Sequence, residues 1–140
     1  VGLGQAYMNL GQPEKAVEAF DRAIKLSPGP WNWNNVAYFL SLGNLHLDKA
    51  QQYAESAVAS VATELRNVEL DRLTLDNLTD IDSLGNFWDT LGWVHFKMGN
   101  LDLAEKYVMA SWVLEQQSEV GDHLGQLSEK PSFLLQFRLL

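Results

Sequence analysis

Apolar positions recur along the chain at helical spacing. Leu3 and Tyr7 are four apart, as are Ala16 and Phe20, so each pair shares one face of a helix. The stripes break at regular places: Gly11 and Gly99 fall where a helix would end, and Pro13 falls just inside the start of the next one. The pattern predicts short amphipathic helices joined by tight polar turns.

The helices come in related pairs. "LGQAYMNLGQPEKAVEAFDRAIKLSP" at 3–28 and "LGWVHFKMGNLDLAEKYVMASWVL" at 91–114 both open with Leu-Gly. Each places a ring three residues after that Gly and another Gly four residues later, then an Ala on the next helix. Gly4, Tyr7, Gly11 and Ala16 thus correspond to Gly92, His95, Gly99 and Ala104. These residues resemble the tetratricopeptide repeat, a helix–turn–helix unit of about 34 residues patterned on Trp, Leu-Gly, Tyr, Ala, Phe and a closing Pro. Leu3, Gly4, Tyr7, Ala16, Phe20 and Pro28 match in the first unit, with Ala23 as a further small residue. Trp88, Leu91, Gly92 and Ala104 match in the third, where His95 replaces the Tyr and Val108 the Phe.

A second unit is looser, with Trp33, Val36, Ala37 and Leu40 followed by Ala50, Ala54 and Ala57. It has Ala37 in place of Gly, one extra turn residue and no closing Pro. A fourth begins with Leu124 and Gly125, then departs at Ser128 and Pro131. The expected organisation is one array: repeat one at 1–28, repeat two at 31–66 with a long second helix, an insertion at 67–86, repeat three at 87–117, and a partial repeat or cap at 119–140. The insertion is polar and acidic but carries Leu70, Leu73, Leu75, Leu78, Ile81 and Leu84. It reads as one or two short helical turns pinned by leucines, because so many apolar anchors argue against disorder. The resemblance implies an all-α fold: an α-solenoid of stacked antiparallel helix pairs in a right-handed superhelix, with about 3.5 repeats.

Composition narrows the function classes. The 140-residue chain is 46% hydrophobic and 20% charged, which allows one real core. Its formal net charge of -8 argues against nucleic acid and against an anionic membrane surface. No apolar run approaches the roughly 18 residues of a spanning helix, so no membrane insertion is expected. The absence of cysteine removes disulfides, thiolate nucleophiles and zinc-thiolate sites together. The chain opens at Val1 and reads as a piece of something longer. The compartment stays open between cytoplasm and periplasm, and the stretches at 89–107 and 119–125 resemble C-terminal arrays of large bacterial repeat proteins.

The stretch "WDTLGWVHFKMGN" at 88–100 concentrates the residues that could do chemistry. Asp89 and His95, six apart, lie on roughly opposite faces of a helix at about 100° per residue, so they do not form a base and its orienter. His95 holds a packing-aromatic position, which predicts a core role. His123 directly follows Asp122, and surface or groove roles are expected for both; His46 lies in the turn of unit two and is expected to be solvated. The scattered histidines make no metal site, and neither a nucleophile–base pair nor a phosphate loop is present. No cofactor is expected, and the reading is not that of an enzyme.

The resemblance instead implies a protein–protein interaction scaffold. First helices of such pairs line a concave groove, and their helical phase selects Gln5, Met8 and Asn9 in unit one, Asn34, Tyr38 and Leu42 in unit two, and Asp89, Trp93, Phe96 and Lys97 in unit three. Unit four adds Asp122, Gln126 and Lys130. Packing against the next unit competes with exposure for Trp93 and Tyr38, and exposure is the expectation taken. Asn34 and Asn35 offer both donor and acceptor to a peptide backbone. The family's clamp for a C-terminal carboxylate is not expected, because Val1, Asn86 and Thr90 stand where its basic residues belong. The expected partner is a neutral or basic peptide or protein surface. The alternatives are a self-associating array, with the apolar tail at 131–140 pairing with a second copy, and the regulatory array of a larger enzyme.

Overall fold

The computed structural model describes residues 1–66, 68, 72, 74–114 and 116–129. Among them are seven helices and no strand: α1 (Gly2–Asn9), α2 (Pro13–Leu26), α3 (Pro30–Leu42), α4 (Leu47–Leu65), α5 (Leu75–Met98), α6 (Leu101–Leu114) and α7 (Ser118–Ser128). Consecutive helices pack against each other, and the odd-numbered α3, α5 and α7 also touch in sequence along one row. This is the all-α stack of helix pairs that the repeat pattern predicts.

Local chemistry sets the helix ends. Gly11 (φ 67°) and Gly99 (φ 83°) take the left-handed conformation that closes α1 and α5, which is cheap only without a Cβ. The looser turn of unit two uses Asn44 (φ 51°) and His46 (φ 43°) instead. Pro13 and Pro30 open α2 and α3, where a missing N–H costs nothing.

Packing inside each pair repeats the sequence logic. A Cβ on Gly4 would stand 2.3 Å from the Phe20 ring, and one on Gly92 would stand 2.6 Å from Val108. A position without a side chain on the first helix thus receives a large one from the second, sixteen residues later in both units. One core gathers Ala16, Phe20, Val36, Ala37, Leu40, Ala50, Ala54, Leu91 and Val94 from units one to three. The repeat tryptophans Trp33 and Trp88 both lean on a second core of Ala57, Val61, Leu84 and Phe87. A third core, Ala104, Val108, Val120 and Leu127, seats α7 on α6.

The insertion departs from expectation. Thr74 caps α5: its hydroxyl accepts from the Asn77 N–H at 3.2 Å while the Asn77 side chain accepts from the Thr74 N–H at 3.0 Å. From there α5 runs unbroken through 24 residues. Positions 75–86 therefore form the front of the first helix of unit three, not separate turns. Leu75 is 81% exposed and Leu78 is exposed as well, so neither pins anything; only Leu84 is buried in a core. The helix continues because no Gly or Pro interrupts 75–84 and because Leu84 and Phe87, one turn apart, find the small face of the long α4. Leu70, Leu73, Lys130, Pro131 and the apolar tail at 131–140 lie outside the described residues, and with the tail goes the self-association expectation attached to it.

Candidate functional site

The α3–α5–α7 row encloses a cleft of about 260 Å³. Helix α3 supplies Trp31, Asn34, Asn35, Tyr38 and Phe39, which recur at three- and four-residue steps on one face. Helix α5 supplies Asn86, Asp89 and Thr90 by the same spacing, and α7 supplies Glu119 from its first turn.

Two side-chain pairs hold α7 to the row. His123 Nδ1 donates to both carboxylate oxygens of Asp89, at 2.8 and 2.9 Å, and both residues are buried. The Tyr38 hydroxyl donates to Glu119 Oε1 at 2.5 Å. Burial pushes the Tyr38 phenol well above its ordinary value of 10.0, and the hydrogen bond to Glu119 and the nearby carboxylate charges push it the same way. The phenol is therefore a fixed donor, and the Glu119 carboxylate is held in place over the cleft.

Asn34 is the unusual member of the lining. It is only 6% exposed, and its Oδ1 has no hydrogen-bond partner among the described residues. Buried side-chain amides normally find partners, since an unmet polar group costs roughly 1–3 kcal/mol. At the mouth, Trp31 is 49% exposed and sets its ring edge-on to Phe87 at 5.0 Å.

The expected groove residues divide on this geometry. Asn34, Tyr38 and Asp89 come together in the cleft. Trp93 does not: it is 3% exposed, stacked on His123 at 4.1 Å and on Phe96 at 4.9 Å, with Lys97 Nζ 4.9 Å from its ring centre. The expectation of an exposed Trp93 is corrected by α7, whose His123 lies against the indole. Phe96 likewise packs into the third core rather than a groove. Asp89 is not a free groove carboxylate, because His123 occupies it. Met8 packs into the first core, with its methyl closing over Gly43. Gln5, Asn9, Leu42, Asp122 and Gln126 are exposed but do not line the cleft.

His123 is buried rather than at the surface, and its neighbour Asp122 plays no part in holding it. His95 is buried as its position predicts, stacked on Tyr107 at 5.8 Å. Burial lowers its pKa from the ordinary 6.5, against a smaller opposite pull from Glu55. The lining residues that the groove phase missed are Trp31, Phe39 and Glu119; Asn35 stood out as a grip for a peptide backbone, and Asn86 and Thr90 only as places where the carboxylate clamp lacks its basic residues. The signal for Trp31 was its spacing from Asn34, Asn35 and Tyr38. Glu119 had none, since nothing local says that α7 reaches α3. Among the described residues no group of three His, Asp or Glu could hold a metal ion, and no helix is long and apolar enough to cross a membrane.

Comparison with known proteins agrees with the architecture. Two family models of the tetratricopeptide repeat match, one at residues 1–30 and the other at 85–111. A TPR repeat-containing protein of Methanocaldococcus jannaschii is 24% identical over 76% of this chain. The match spans only 23% of that relative's length. Among solved structures, the N-terminal domain of stress-induced protein-1 from C. elegans superposes with a TM-score of 0.58, covering 91% of both chains at 22% identity. At that identity the likeness speaks for the fold.

Proposed function

Because this chain is a tetratricopeptide-repeat array, a fold that generally mediates protein–protein interaction, we propose that it binds a peptide or protein segment in the cleft between α3, α5 and α7. The observation that carries the reading is Asn34, a buried amide whose Oδ1 has no hydrogen-bond partner among the described residues, in a cleft lined by the first helices of consecutive units. An extended peptide meets an amide of this kind with its own N–H and C=O groups, and a half-turn of the side chain offers it the oxygen that is otherwise buried. Trp31 and Tyr38 supply the rigid aromatic surface that anchors interfaces. Arrays of this fold are typically non-catalytic scaffolds.

A photo-crosslinking amino acid in place of Asn35, compared with the same group in place of the exposed Val113 on α6, tests this reading. Adducts with a partner chain are expected at position 35 and not at 113. Binding of the captured partner should weaken at least about tenfold in the Trp31→Ala/Tyr38→Ala double variant. Adducts confined to position 113, or a double variant that binds undiminished, would sink the proposal.

A further inference from the structure

We infer that the cleft selects a basic residue of its partner, arginine above lysine; this rests on the cleft being the partner-binding surface. Its lining carries two carboxylates, Asp89 and Glu119, and no Lys, Arg or His. The chain as a whole is acidic, with a formal charge of -8, so the approach of a cation is favoured at long range as well. An incoming carboxylate would instead meet two like charges.

The acceptors are held before any ligand arrives. His123 reaches Asp89 from outside the lining and leaves its oxygens with further lone pairs, and Tyr38 fixes one oxygen of Glu119. Even with His123 protonated and Asp89 neutralised, Glu119 keeps the lining negative. The Asn34 amide adds a third acceptor: a half-turn of its last bond exchanges O and N without changing its shape, which presents Oδ1 to a donor. These three groups come from α5, α7 and α3, so the acceptors converge from three directions.

That arrangement suits a guanidinium better than an ammonium. Its planar fork carries five donors for divergent acceptors, whereas lysine offers one compact charge. The half-exposed Trp31 ring at the mouth and the Tyr38 ring offer faces on which a guanidinium stacks. The size agrees: about 260 Å³ is smaller than the roughly 300–1,000 Å³ of sites for drug-sized ligands and fits a single long side chain.

The test titrates four capped tripeptides, Ala-X-Ala with X as Arg, Lys, Gln or Glu, into the isotope-labelled chain while the Asn34 side-chain amide and the Trp31 indole are followed by NMR. The arginine peptide should move both signals to saturation and bind at least about tenfold more tightly than the glutamine peptide, with lysine between. Glu119→Gln, an exposed change whose fold is checked by circular dichroism, should shrink the arginine advantage at least threefold. Added salt should weaken the arginine peptide most, as screening requires. Equal binding of the arginine and glutamine peptides overturns the charge selection and leaves the peptide-binding cleft standing. Shifts confined to residues outside the cleft overturn both. No movement of either signal by the arginine peptide at about 10 mM also overturns the inference.

Discussion

His123 on α7 donates through Nδ1 to both carboxylate oxygens of Asp89 on α5, at 2.8 and 2.9 Å, across 34 positions of sequence. The same imidazole stacks on Trp93 at 4.1 Å. One side chain thus fastens the last described helix, buries a tryptophan and steadies a carboxylate of the cleft. Removing it leaves Asp89 buried without its partner. His123→Ala is expected to cost roughly 2–4 kcal/mol. Asp89→Asn, which keeps an acceptor, should cost less. Chemical denaturation gives the magnitudes, and hydrogen exchange should show α7 loosening first in both variants. An unchanged exchange rate in α7 would contradict the fastening role.

The Tyr38–Glu119 contact predicts a signature at high pH. The folded phenol lies above its unfolded value of 10.0, chiefly through burial, so the folded state keeps its proton where the unfolded chain loses it. Its contribution to stability is complete below pH 10 and declines as pH rises beyond that value. Ultraviolet titration should show a tyrosine component that ionises well above pH 10. Tyr38→Phe should remove that component, and its survival in the variant would contradict the assignment.

His95 predicts the opposite edge. Burial sets its folded pKa below the unfolded 6.5, so the unfolded chain binds the proton first. The stability tied to this group is full above pH 6.5 and is lost as pH falls towards the folded value. His95→Phe keeps a ring against Tyr107 and removes the titration. The stability of that variant relative to the wild type should therefore rise between pH 7 and pH 5. A difference that stays flat across this range would show that His95 does not titrate with folding.

Two glycines should respond in opposite directions. A Cβ at Gly92 would stand 2.6 Å from a Val108 methyl, 3.0 Å from the Val108 backbone N and 3.1 Å from the Ala104 carbonyl. Backbone cannot yield as a side-chain tip can, so Gly92→Ala is expected to cost about 1–3 kcal/mol. Gly125 lies within α7 with nothing inside 4 Å of the added atom. Gly125→Ala should stabilise by about 0.5–1 kcal/mol, since alanine restricts the unfolded chain and favours the helix. Thermal melts of the two variants should move apart.

Helical phase made much of this protein legible. The Gly4–Phe20 and Gly92–Val108 pairs, the turn glycines 11 and 99, and the core place of His95 all follow from positions within one helix pair, where neighbours are set by spacing alone. Phase also brought Asn34, Tyr38 and Asp89 to one side of their helices, and they meet in the cleft. Between pairs that logic stops. Trp93 shares its helix with Asp89, and phase alone left both open to a groove. What covers a face is decided by the next helix to arrive, and the seating of α7 depends on Val120 and Leu127 finding the core of α6. Only that tertiary step brought His123 to Asp89 and Glu119 to Tyr38, the latter across 81 positions. The sequence by itself determined the helices, their pairing and the faces they present. The tertiary structure decided which of those faces is closed and which remains a cleft, because a helix's periodicity specifies which residues look the same way but not what they look at.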